Sequence, residues 1–206
     1  MENDPWIDAN SRIDAKRLYA LGVVTLNWNS AEFSLFWLFV AVSGMDIMKA
    51  RIIVHDMTAP SLATKIRELA AENLQIQSEE QESVEFAMKA FDLCRINRNQ
   101  FTHFLPSKGK EGLDLYRVKG AAISFDMIPS DIATIRRVAE EIEKTNRFII
   151  KLSTRISDRL AEGIPNRLAG WRMPGPLPDK FPLPEMVWKP PTPLPQLSRK
   201  TRKRRS

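Results

Sequence analysis

The sequence is poor in the residues that build disulfides and metal clusters, with one cysteine, Cys94, and two histidines, His55 and His103. A single cysteine excludes an intramolecular disulfide framework, and three such residues cannot supply a His/Cys zinc site. We therefore expect a reducing compartment, the cytoplasm, and no metal or other cofactor.

Long hydrophobic runs are also absent. The longest uncharged apolar stretch, residues 33–45, has 13 residues, whereas a membrane-spanning helix needs about 17–25. The first residues, 1–5, lack the basic-then-apolar layout of a signal peptide. These features predict a protein with no membrane span, in which residues 33–45 form a buried helix.

Acidic residues are scarce in the last part of the chain. Residues 165–206 contain ten Lys and Arg but only Asp179 and Glu185 as acids, a net charge of +8, while residues 1–164 carry −2. Ten of the 14 prolines also lie between Pro165 and Pro195, a density at which neither a helix nor a central strand persists. We predict an N-terminal arm at 1–10, a folded domain at 11–164 and a disordered, basic tail at 165–206.

Helical periodicity dominates the rest of the sequence and predicts an all-α, up-and-down bundle of about five helices. The helices are expected at about residues 11–43, 47–55, 61–74, 78–105 and 130–163. Gly44 is a natural helix stop, Ser78-Glu79-Glu80-Gln81 has the spacing of a capping box, and Pro106 closes the fourth helix. Two β-type runs, 113–119 and 121–127 with Gly120 between them, predict a small hairpin before the last helix.

One short motif carries a chemical signal, Arg98-Asn99-Gln100-Phe101-Thr102-His103, at the carboxyl end of the fourth helix. Arg98 coincides with the apolar stripe of that helix, between Cys94 and Phe101. Because arginine is almost never buried without a partner, this position indicates either a polar cleft or a carboxylate nearby. Glu32, the only charged residue in 31–45, is either the carboxylate partner of Arg98 or a solvent-exposed residue at a helix edge.

Arg98, Asn99 and His103 match the Arg-polar-x-x-x-His pattern that marks the HEPN superfamily, so residues 11–163 resemble a HEPN domain. The resemblance implies a helical bundle, a homodimer and metal-independent endoribonuclease activity, with 2′,3′-cyclic phosphate and 5′-hydroxyl products. Proton transfer would fall to His103, phosphate and transition-state stabilisation to Arg98, and orientation of the imidazole to Asn99. Since Arg98 and His103 are about 140° apart around a helix, a dimer with two motif helices in one cleft would help both reach one phosphate.

Other basic residues near the motif are candidates for contacts with the RNA backbone. Arg95 lies one turn before Asn99, and Lys108 and Lys110 follow the motif, where they either touch RNA or are merely solvated. Cys94 is interpreted as a core residue.

Two further interpretations stay open. The domain can be a catalytically silent helical module that binds RNA or a partner protein, with the tail as its working part. It can also be a toxin-like or defence ribonuclease controlled by an inhibitor protein. The tail itself can anchor nucleic acid, act as a nuclear-import-like cluster or only add solubility.

Overall fold

The computed structural model describes residues 5–11, 13–102, 105–109, 112–116, 127–128, 130–161 and 174–187. The helices are α1 (Pro5–Asn10), α2 (Ala15–Ser43), α3 (Ile47–Val54), α4 (Ala59–Glu72), α5 (Ser78–Thr102) and α6 (Ile132–Leu160). The predominantly helical fold expected from the sequence is confirmed. No helix in these residues is both long and apolar enough to cross a membrane.

Three short strands lie between α5 and α6: β1 (Leu105–Gly109), β2 (Gly112–Tyr116) and β3 (Met127–Ile128). They pair antiparallel in the order β1-β2-β3, with Leu105 opposite Tyr116 and Leu115 opposite Ile128. The expected turn at Gly120 lies outside the described residues. The prediction that Pro106 closes the motif helix is wrong, because α5 ends at Thr102 and Pro106 belongs to β1.

Helices α2 and α6 form the most extensive helix pair of the bundle. They run parallel, since Asn27 donates to the Ala139 carbonyl and Ser34 donates to the Asn146 side chain. Helix α5 runs antiparallel to α6, with its first turn near the end of α6 and Cys94 against Thr145. The core between these helices is apolar and fully buried, with Val24, Leu35, Phe91, Ile142 and Ile149 among its members.

The helix ends follow local capping rules, with a few shifts from the sequence-based bounds. Gly44 ends α2 in the left-handed region at φ 63°, which glycine adopts without steric cost. Helix α2 begins at Ala15, not Ser11, because the Asp14 side chain accepts from the Arg17 amide. The separate helix α1 also occupies part of the predicted N-terminal arm.

The start of α5 rests on Glu80, a fully buried carboxylate. Its Oε2 accepts a hydrogen bond from the backbone N–H of Gln77 at 3.1 Å. The capping contact at this helix start is therefore made to Gln77 and not to Ser78, the residue at which the expected capping box began. Arg159 of α6 binds both Glu80 oxygens, at 2.7 and 2.5 Å, and also donates to the Gln75 carbonyl. This buried ion pair joins the first turn of α5 to the last turn of α6.

The sequence predicts an extended, largely disordered tail at 165–206; residues 174–187, which we call the strap, are extended but packed on the domain. Leu177, Phe181 and Val187 pack against the hydrophobic core, and Pro184 is buried. The Phe181 ring meets Phe86 at 5.3 Å and Phe148 at 5.9 Å between centroids. A proline-rich segment can stay extended without forming regular structure, so the strap is ordered by the α5 and α6 side chains that it covers.

Candidate functional site

Arg98 lies one turn before the carboxyl end of α5, with its guanidinium over the ring of Trp28 from α2. Its Cζ is 5.8 Å from the ring centroid, within the range of a cation–π contact. Trp28 is itself fixed, since it is 2% exposed and stacked on Phe91 with centroids 4.7 Å apart. The packing of α2 on α5 therefore holds the Arg98 side chain in one place.

A second contact comes from the neighbouring motif residue. Arg98 Nη1 donates to Asn99 Oδ1 at 3.1 Å. Arg98 Nε is buried and has no hydrogen-bond partner in the described part of the chain. The orientation of the guanidinium is thus set by a ring and an amide, neither of which neutralises its charge.

Of the two interpretations of Glu32, a partner of Arg98 or a residue at a solvent-exposed helix edge, the structure does not show the first. Neither a hydrogen bond nor an ion pair joins the two residues in the part of the chain that the structure describes. Glu32 is half-buried on α2. Among the described residues, no carboxylate forms an ion pair with Arg98.

The position of Arg98 on the helix also differs from the sequence interpretation. The residue of that turn that is completely buried is Asn97, at 0% exposed, whereas Arg98 is intermediate. Positions three and four after Cys94 are 300° and 400° round the helix, so both lie near the stripe and periodicity alone does not separate them. Gln100, 8% exposed, is the next buried polar residue.

The role of Asn97 was missed in the sequence analysis. Its Nδ2 donates to the Glu185 carbonyl at 2.8 Å, and its Oδ1 accepts from the Val187 amide at 3.0 Å. One side-chain amide therefore satisfies two backbone groups of the strap. The available signal was the presence of two amides, Asn97 and Gln100, three residues apart near the end of the helix.

The other candidate residues differ in how far the structure describes them. Arg95 lies 3.5 Å from Asp92, which also pairs with Arg67 at 3.0 Å, so the charge of Arg95 is partly compensated. Lys108 belongs to β1, opposite Leu113. His103 and Lys110 lie outside the described residues, and the orientation of His103 by Asn99 stays a prediction.

Two titratable groups behind the motif have shifted pKa values. Burial raises the pKa of the Cys94 thiol to about 12, which keeps it protonated and unreactive. Burial also raises the pKa of the Glu141 carboxyl, a change opposed by the charge of Arg137. Both groups belong to the α5/α6 packing beside the strap rather than to the surface on which Arg98 lies.

Within the described ranges, no three His, Cys, Asp or Glu side chains gather in a group that could hold a metal ion. No protein-family model, curated protein or solved structure matches the chain. The interpretation of the site therefore depends on its own residues and geometry.

Proposed function

We propose that this protein is a metal-independent endoribonuclease of the HEPN type, with its site at the carboxyl end of α5. The observation that carries the proposal is Arg98, a motif arginine held by Trp28 and Asn99. No described carboxylate forms an ion pair with it. A guanidinium that is held in one orientation and has no ion-pair partner among the described residues is suited to bind a phosphate through its forked N–H groups.

The proposed reaction transfers a phosphate ester within one RNA strand. The 2′-oxygen attacks the adjacent phosphorus, so that the new 2′-oxygen–phosphorus bond forms while the bond to the 5′-oxygen breaks. The 2′-hydroxyl loses its proton and the departing 5′-oxygen gains one, leaving a 2′,3′-cyclic phosphate and a 5′-hydroxyl. His103 is the proposed proton-transfer group, because an imidazole pKa near 6.5 allows both steps near neutral pH.

Arg98 would stabilise the negative charge that builds on the phosphorane oxygens. Removing one such prearranged donor from other enzymes lowers kcat by about 10²–10³. Asn99 would orient the His103 imidazole, and its hydrogen bond to Nη1 would also restrict the Arg98 guanidinium to the orientation that the structure shows. Arg95, Lys108 and Lys110 would contact the RNA backbone, with Arg95 weakened by its pairing to Asp92.

The test compares variants on single-stranded RNA with EDTA present. We expect His103→Ala to abolish cleavage. Arg98→Lys should lower the cleavage rate by a factor of about 10²–10³, because an ammonium group cannot make the forked contacts of a guanidinium. Arg136→Lys is the matched control, since Arg136 is an exposed arginine on α6, and it should cleave like wild type. Equal cleavage by all variants would show a contaminating nuclease, and no cleavage by the wild type would reject the activity.

We also propose that two copies associate through the exposed face of α2. Leu26, Phe33 and Trp37 are 67%, 63% and 40% exposed and lie at helical spacing on this face. In a symmetric dimer the same patch of both copies forms the interface. Because these residues are uncharged, their contact brings no like charges together. Sedimentation should give twice 23.6 kDa for the wild type and the single mass for Phe33→Asp; a single mass for both would contradict the dimer.

A catalytically silent binding domain is the second candidate. It is favoured by the packing of the extended, proline-rich strap on α5 and α6, where the Asn97 side chain forms hydrogen bonds with the backbone of the strap. Under this alternative the wild type binds RNA or a partner protein but cleaves no RNA. The cleavage assay separates the two candidates directly.

A further inference from the structure

The strap follows helix α5 over a defined length. Lys180 lies 3.6 Å from Glu82, and the Val187 amide donates to Asn97 at 3.0 Å. Fifteen residues separate Glu82 from Asn97, a rise of about 22 Å along the helix. The seven steps from Lys180 to Val187 also cover about 22 Å in the polyproline II conformation. The two lengths match, so a segment in this conformation reaches both contacts without a loop.

Between these two contacts, the Phe181 ring lies against one aromatic residue of each helix. Phe86 of α5 and Phe148 of α6 are 5.3 and 5.9 Å from it between centroids, and they meet each other at 5.1 Å. Pro184, three residues later, is buried. Proline-rich segments dock on aromatic surfaces in this manner because their extended backbone loses little entropy on binding.

Asn97 recognises the backbone of the strap rather than a side chain. Its amide is 0% exposed, donates to the Glu185 carbonyl and accepts from the Val187 amide. Buried amides need such partners, and any extended segment supplies the same two groups. Selectivity comes from the charges at the two ends: Glu82 favours a cation, and Arg137, 4.0 Å from Glu185, favours an acid.

The helices beneath the strap are joined by contacts of their own. Cys94 of α5 lies 3.4 Å from Thr145 of α6 in a buried contact. Arg159 binds Glu80 where α5 begins and α6 ends. None of these four residues belongs to the strap. Another segment can therefore take the place of the strap without separating α5 from α6.

We propose that the surface under the strap is a peptide-recognition site and that the strap is its intramolecular ligand. This strap-binding face consists of Glu82, Phe86, Asn97, Arg137 and Phe148. The partner that it fits is an extended, proline-rich segment of another protein, in which a cation precedes a phenylalanine and an acid follows four residues after that phenylalanine. A ligand on the same chain competes at an effective concentration of about millimolar. The proposal does not depend on RNA cleavage.

The probe is a fluorescent synthetic peptide with the sequence of residues 174–187, and fluorescence anisotropy measures its binding to the full-length chain. Phe181→Ala in the chain weakens its own strap and leaves the strap-binding face intact. We expect this variant to bind the peptide at least about tenfold more tightly than the wild type, in which the strap competes. Glu185→Lys is a second opening variant with an undisturbed core, since the Glu185 side chain is 88% exposed. It should bind the peptide about two- to fivefold more tightly than the wild type.

Two further changes test the recognition itself. Asn97→Ala, added to Phe181→Ala, should weaken peptide binding about tenfold, because two hydrogen bonds to the peptide backbone are lost. The matched control is Asn29→Ala at an exposed asparagine of α2, which should change nothing. A peptide with one glycine inserted after Pro182 should also bind about tenfold more weakly, because its ring and its last backbone groups no longer reach their sites together.

Three results would overturn the proposal: opening variants that bind the peptide no more tightly than the wild type, no effect of Asn97→Ala, or equal binding of the two peptides. The strap of a second copy is the alternative occupant, and sedimentation distinguishes it. The proposal predicts that Asn97→Ala leaves the mass of the otherwise wild-type chain unchanged. A lower mass would show that copies exchange straps and that the strap-binding face is a contact between copies, contrary to the proposal.

Discussion

Replacement of Phe181 by alanine tests whether the strap is part of the folded domain. Phe181 is partly buried and makes edge-to-face contacts with Phe86 and Phe148, at interplanar angles of 85° and 72°. A fully buried Phe→Ala change costs about 3–5 kcal/mol, and each aromatic pair contributes about 0.5–1.5 kcal/mol. For this half-buried ring we expect a loss of about 2 kcal/mol in the free energy of unfolding.

In a chain of this length a loss of that size lowers Tm by about 4–8 °C. Urea unfolding should show the same loss as a lower midpoint with little change in slope. Leu74→Ala is the control, because Leu74 is 100% exposed and its truncation should cost less than about 0.5 kcal/mol. If Phe181→Ala unfolds at the same temperature as Leu74→Ala, the strap does not stabilise the domain and the reasoning is refuted.

Three further changes test the packing of the helices. Glu80→Ala should cost about 3–5 kcal/mol in urea unfolding, because it leaves Arg159 without its buried partner; a cost below about 1 kcal/mol would contradict the buried pair. Glu141→Gln should raise Tm at pH 7. Burial raises the pKa of the Glu141 carboxyl above 4.5 in the folded state, so the folded protein loses stability as the pH rises through that pKa and the buried carboxyl becomes charged. Glutamine stays neutral and avoids this loss. The advantage of Glu141→Gln should vanish near pH 4, and a constant advantage at all pH values would count against this cause. Asp131→Ala removes the α6 N-cap and should lower the free energy of unfolding by about 1 kcal/mol at pH 7. An unchanged Tm in thermal scans would contradict a stabilising role of this cap.

The helices could be predicted well from the sequence because their signals are local. Gly44 ends α2, Pro60 occupies the first turn of α4, and Asp131 caps α6. Each of these depends on backbone groups within four residues, so the chain itself contains the information. The predicted boundaries at Ser11 and Pro106 were wrong. A second short element lies next to each of them: α1 precedes α2, and β1 follows α5.

Which residues of the motif helix α5 face the core could not be predicted from local signals. Asn97 and Arg98 lie on either side of the stripe, and the choice between them depends on what packs there. That packing includes the strap, whose backbone groups are paired with the Asn97 amide across about 90 positions of the chain. A proline-rich segment has no periodicity of its own, so its docking on Phe86 and Phe148 left no pattern in residues 174–187.

The partner of Arg98 was similarly a question of tertiary contact. Glu32 was a reasonable candidate on charge alone, but the contact that the structure provides is the face of Trp28, four residues earlier on α2. An aromatic ring can hold a guanidinium without cancelling its charge. The sequence thus indicated that Arg98 was unusual, whereas the physical reason required the packing of α2 against α5.

The central claim, metal-independent cleavage by Arg98 and His103, is tested most directly by the chemical ends of the RNA products. We predict that the purified wild-type chain in EDTA gives 2′,3′-cyclic phosphate and 5′-hydroxyl ends by mass spectrometry, and that His103→Ala gives neither. Products with 5′-phosphate ends that appear only when magnesium is added would contradict the account.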